Sequence, residues 1–131
     1  MAWTEQARLL LRKSRQDQVI VSRAVDDAEI ADEIVGFHVQ QACEKCMKAV
    51  LCMLEVAYRR THDLQELCDL LNDAGVVLTD PLRELVEWSP FAVTYRYEDW
   101  AAVDPVDRAR ADYLVRAAIE WAGAEVPPET T

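Results

Sequence analysis

The sequence predicts an all-α protein, an up-and-down antiparallel four-helix bundle with an additional short helix. Three observations lead there. Apolar residues recur at three- and four-residue spacing through much of the chain, the repeat of a helix that buries one face. Only 3 Gly and 5 Pro occur in 131 residues, too few turn residues for the hairpins of a sandwich or barrel. The segment from Ile30 to Tyr58 is apolar around most of its circumference, as a helix at the centre of a bundle is. The length suits one domain with a real core. That domain is placed at residues 1–125, with a frayed tail at 126–131 that carries no core pattern.

The first helix is expected from about Thr4 to Ala24, with Trp3, Ala7, Leu10, Ser14, Asp17, Val21 and Ala24 along its seam. Two polar residues, Ser14 and Asp17, therefore fall on or beside the buried line. Asp26-Asp27 breaks the helix, and the acidic residues Glu29, Asp32 and Glu33 suit the positive end of the next one. The second helix is expected from Ile30 to Tyr58. Thr61 is the expected N-cap of a third, short helix built on Leu64, Leu67, Cys68, Leu70 and Leu71, with Gly75 taking the left-handed position after it. Asp80-Pro81 is a cap followed by proline in the first turn. The fourth helix, with Leu82, Leu85 and Val86, is expected to end before Ser89-Pro90, leaving Phe91–Trp100 irregular or partly helical. Asp104-Pro105 repeats the cap-plus-proline device, and the last helix is expected to reach Ala122 with Val106, Ala109, Tyr113, Ala117 and Trp121 inward.

Charge and cysteine content narrow the function classes. The net charge is −10, and the excess lies in residues 61–131, the first sixty being balanced. An acidic chain gains nothing from counterion release on a generic nucleic-acid backbone, so any RNA contact needs a local basic site. Arg8, Arg12, Lys13 and Arg15 form the best such patch and read first as a solvated helix face. No uncharged stretch approaches the roughly 20 residues of a membrane span, and no apolar signal core opens the chain, which points to the cytoplasm. Cys43 and Cys46 form a C-x-x-C in mid-helix, without the turn or second ligand pair of a zinc site, so they read as small core residues; no metal or cofactor is expected.

The most informative feature is a polar row on the second helix. At about 100° per residue, His38, Gln41, Lys45 and Lys48 share one face, opposite Val35, Val39, Ala42, Cys43, Cys46, Val50 and Met53. Polar groups on so apolar a helix must be solvated, paired or used.

Four segments resemble the HEPN domain family. Phe37-His38-Val39-Gln40-Gln41-Ala42-Cys43-Glu44-Lys45 is similar to the family's F-H-x-Q-Q-A-x-E-K, and Thr61-His62-Asp63-Leu64 to its T-H-D-L helix start. Tyr95-Arg96-Tyr97 resembles its R-Y-P element, with Glu98 where proline is usual, and Asp17 stands where an acidic residue is common on the first helix. The resemblance implies a helical bundle, commonly a homodimer, associated with nucleotides or RNA. It implies as a partner a minimal nucleotidyltransferase, in some members as a toxin and antitoxin pair. Several members are metal-independent ribonucleases that use an Arg followed, roughly four to six residues later, by a His; the His acts as acid or base and the Arg stabilises the phosphate charge. Here the matching positions are Ala31, Asp32 and Glu33 before His38, and Glu55, Val56 and Ala57 before His62. None is Arg, which disfavours the ribonuclease reading.

Three uses of the row remain. It is a satisfied network in which His38, Gln41 and Lys45 pair with Asp17, Ser14 and Glu44, or with Arg96; or it lines a nucleotide pocket, with Lys45 and Arg96 on phosphate, His38 and Gln41 on base or ribose and Tyr95 or Tyr97 stacking; or it meets a partner protein. The ligand-binding candidates are thus His38, Gln41, Lys45, Arg96 and Tyr97. The structural candidates are Ser14, Asp17, Glu44 and His62, a His at a helix start commonly bonding only to its neighbours. Together these point to a nucleotide-associated or partner-binding module rather than a catalyst.

Overall fold

A computed structural model describes residues 2–97 and 106–129, with the backbone alone at 89–97. It contains the helices α1 (Ala2–Ala24), α2 (Asp32–Met53), α3 (Leu64–Asp73), α4 (Asp80–Tyr97) and α5 (Arg108–Glu125), and no strand among the described residues. Four are long and α3 is short. α2 packs against all the others, and α1 and α4 each meet α5. The reason is compositional: Val35, Val39, Ala42, Cys43, Cys46, Met47, Ala49, Val50, Leu51 and Cys52 are all buried, so α2 has almost no face left for water. On α1 the buried line is Ala7, Leu11, Ser14, Asp17, Val21 and Ala24.

α2 is shorter than expected at both ends. Its start is set from far away in the sequence. Arg108 donates to the carbonyls of Ala24, Asp27 and Ile30 and to the Asp32 carboxylate at 2.6–3.0 Å, pinning the α1–α2 turn with one guanidinium. The helix ends at Met53 because Glu55 takes a left-handed backbone (φ 54°). The Glu55 N–H then bonds to Cys52 O at 3.0 Å and Val56 N–H to Leu51 O at 2.9 Å, the paired bonds of a Schellman cap. α3 ends in the same motif with Gly75 at φ 87°, as the sequence suggested.

Other boundaries also moved. The N-cap of α3 is Asp63, whose carboxylate accepts from the N–H groups of Gln65 and Glu66; Thr61 instead accepts from Asp63 N–H. Asp107 caps α5, and Asp104 and Pro105 lie outside the described residues. α4 continues through Ser89-Pro90 to Tyr97, because a proline removes one helical hydrogen bond without forbidding helix on either side. α5 buries Ala111, Leu114, Val115, Ala118 and Ala122, a line different from the expected one. Ala109 is exposed, and Tyr113, off the buried line, is half-exposed with the Arg110 guanidinium 5.1 Å from its ring centre.

Candidate functional site

The polar row on α2 divides into two sites. His38 and Lys45 are seven residues apart and only about 20° apart around the helix, so both face α1. There Asp17 receives them together. His38 Nδ1 donates to Asp17 Oδ1 at 2.8 Å and Lys45 Nζ to Asp17 Oδ2 at 2.6 Å. The Asp17 side chain is 8% exposed, and those of His38 and Lys45 are 21%. An ionised carboxylate only accepts, so the imidazole carries its proton on Nδ1. The Phe37 ring meets the His38 ring edge-on at 5.2 Å.

Glu44 and Lys48 lie around the helix from that pair, roughly 40° from each other, and face the α2–α3 loop. His62 Nδ1 donates to Glu44 Oε1 at 2.8 Å, and Lys48 Nζ donates to Glu44 Oε2 at 3.1 Å and to the Thr61 carbonyl at 2.9 Å. Gln40 Nε2 donates to the His62 carbonyl at 2.7 Å, while Gln40 Oε1 is buried without a partner among the described residues. The Glu44 side chain is 5% exposed and that of His62 is 76%. Lys48 Nζ also lies 5.5 Å from the centre of the Tyr58 ring. Two buried carboxylates thus each hold one His and one Lys.

Of the remaining candidates, Ser14 donates to Leu11 O at 2.6 Å within its own helix and does not join the row. Gln41 is half-buried, and the side chains of Arg96 and Tyr97 lie outside the described residues. Two residues of these sites, and Arg108 at the α1–α2 turn, carried no separate role in the sequence reading. Gln40 and Lys48 were readable from their angle to Glu44. Arg108 was not, since its partners lie 76–84 residues away.

The cysteines fit a core role. Cys43 and Cys46 are fully buried, and burial pushes both thiols up, Cys46 to about 12, so neither offers a thiolate at neutral pH. Among the described residues no group of three or more His, Cys, Asp or Glu side chains has the arrangement to hold a metal.

The model of the HEPN domain matches residues 2–124 of this chain, nearly all of it. The chain belongs to the HEPN family. The two sites therefore lie inside the HEPN domain itself, and membership supports a nucleotide- or RNA-associated helical module in general terms. No curated protein and no solved structure matches the chain. No helix of the described residues is long and apolar enough to cross a membrane.

Proposed function

We propose that this HEPN chain is a nucleotide-binding, partner-directed module rather than a catalyst. In this reading it works as a cytoplasmic homodimer beside a minimal nucleotidyltransferase, in a toxin–antitoxin-like pair. The observation that carries the non-catalytic part is the double occupancy of Asp17. Lys45 and His38 are both committed to one carboxylate at the α1–α2 contact, so the row first of all fixes two helices against each other. A nucleotide then uses what the pairing leaves: the half-buried Gln41 amide and the outer edges of His38 and Lys45, with Arg96 and Tyr97 as further contacts.

The test is thermal unfolding with millimolar ATP. Ligand at 100 times its Kd stabilises the fold by about 2.7 kcal/mol, an easily measured rise in Tm. Gln41→Ala is the telling variant, since Gln41 takes no part in the Asp17 pairing; it should erase the shift and leave the unliganded Tm almost unchanged. No shift in the parent protein removes nucleotide binding. Co-expression with a minimal nucleotidyltransferase and size-exclusion chromatography test the partner and the dimer.

One observation favours the alternative, a metal-independent ribonuclease. His62 is oriented through Nδ1 by a buried Glu44, and its exposed Nε2 edge is the arrangement a general base needs. The nearest preceding arginines, Arg59 and Arg60, lie closer than the family pattern, and Arg59 is bound bidentately to Glu66. RNA cleavage in the presence of chelator, lost in His62→Ala, would establish this activity. An inert protein would dismiss it.

A further inference from the structure

The basic patch on α1, read from sequence as a solvated face, forms one wall of a groove that the chain's own C-terminal residues enter. Arg8, Arg12 and Arg15 from α1, Gly123 from α5 and the tail residues Val126 to Glu129 together line a cavity of about 570 Å³. A second cavity of about 490 Å³ shares Arg15 and Gly123 and adds Arg116. The groove is roomy at Gly123, where even a Cβ would meet nothing nearer than the Arg15 guanidinium at 3.9 Å. The acidic balance of the whole chain makes this concentration of arginine on one groove a local exception.

The bound segment shows what chemistry the groove reads. Val126 is buried and its N–H bonds to Ala122 O at 3.2 Å, so the chain leaves α5 from a fixed point. Beyond it, Arg8 Nε donates to Pro127 O at 2.9 Å, and its terminal nitrogen donates to Pro128 O at 3.1 Å. Arg12 grips the Glu129 carboxylate at 2.6 Å. Two successive prolines fix φ and give up both N–H groups, so this stretch offers carbonyls with no internal competition for them. A guanidinium fork suits that pattern of acceptors. Arg15 stays exposed without an ion pair among the described residues, one cation more than the tail uses.

We propose that the α1–α5 groove is a peptide-binding site for an extended, proline-containing acidic segment of a partner protein, whose place on Arg8 and Arg12 the chain's own residues 127–129 take. An extended peptide is favoured over a nucleic-acid strand because one of the two arginines in use reads main-chain carbonyls. The site stands apart from the polar row on α2, so it does not depend on nucleotide binding.

The test is fluorescence anisotropy with a labelled peptide copying residues 125–129, Glu-Val-Pro-Pro-Glu, against the full chain and a chain ended after Val126. A short tether holds its own segment at an effective concentration of order millimolar, so a peptide with a Kd near 0.1 mM should bind the shortened chain about tenfold more tightly. Replacing Arg8 and Arg12 with alanine in the shortened chain should remove that binding. Glu129→Ala in the full chain is the second route, needed if the shortened chain does not fold, and should raise affinity by about threefold through the same competition. Equal affinity for the full and the shortened chain, or binding indifferent to Arg8 and Arg12, would overturn the proposal. So would tighter binding of a uridine hexanucleotide than of the peptide.

Discussion

Asp17 and Glu44 hold the same set of partners under different cover. Each is a nearly buried carboxylate that accepts from a His Nδ1 at 2.8 Å and from a Lys ammonium. Around Asp17 all three groups come from two packed helices, and every member is at least half-buried. Around Glu44 the His comes from a loop, and its ring stands in water. The same chemistry therefore does two things. Between helices it sets their register, because breaking it strands charge in the bundle. Between a helix and a loop it aims an imidazole outward while the Lys ties the loop backbone down through Thr61.

The sharpest way to break this comparison is to remove each carboxylate. Asp17→Ala leaves Lys45 and His38 without their acceptor between two helices and should cost about 3 kcal/mol, near the lower end for breaking a buried pair because both partners keep some access to water. Glu44→Ala should cost roughly 1–2 kcal/mol, since Lys48 keeps the Thr61 carbonyl and His62 is already solvated. Urea unfolding of both variants checks the order. Equal losses, or a larger loss at Glu44, would show that the loop site is as structural as the helical one.

The histidines should separate the sites further. His38→Ala removes a half-buried ring that packs on Phe37 and bonds to Asp17, a loss of about 1–1.5 kcal/mol. His62→Ala should stay within about 0.5 kcal/mol of the parent, as exposed positions usually do. If His62→Ala is stable but defective in ligand or RNA assays, its ring is there for use.

The asymmetry between the sites also explains what could be read in the sequence. The α1 seam through Ser14 and Asp17 and the central position of α2 follow from periodicity alone. The pairing of His38 and Lys45 with Asp17 was one of three uses that the sequence left open for the row, because a polar group on so apolar a helix can be paired, solvated or used. The division of the row was hidden by treating His38 through Lys48 as one face, although Glu44 and Lys48 sit well around the helix from His38. Arg108 was out of reach for another reason. Its partners are mostly main-chain carbonyls, which carry no sequence signal. The buried line of α5 was misassigned because several of its residues are alanines, which mark a close-packed face as well as a solvated one.

The backbone of the loop site offers a smaller test. Two helices end in the same cap, one with Gly75 and one with Glu55 in the left-handed position. An L-residue there costs about 1–2 kcal/mol, part of which glycine returns as extra freedom in the unfolded chain. Glu55→Gly should therefore raise stability by about 0.5 kcal/mol. Glu55→Val should lower it, a β-branched side chain being worst suited to positive φ. A stabilised Glu55→Gly protein that keeps the His62 phenotype would show that the loop is set by its Glu44 and Lys48 anchors rather than by the cap.

The smallest effect expected is the pH response of that loop. The Arg59 guanidinium, hydrogen-bonded to Glu66, holds the Glu66 carboxyl below its usual range. A carboxyl whose pKa is lower in the folded state stabilises the fold above its unfolded pKa of about 4.3, and that contribution disappears as pH falls through the folded value. The window is therefore below about pH 4.3, and the contribution is slight because both groups face water. Glu66→Gln removes it. The stability gap between parent and variant should be small and constant from pH 7 down to about pH 5, then close as the pH falls further. A gap that stays open at pH 3 would mean that Glu66 holds the loop by packing or neutral hydrogen bonds, and the loop site would then resemble the Asp17 site more closely than their exposures suggest.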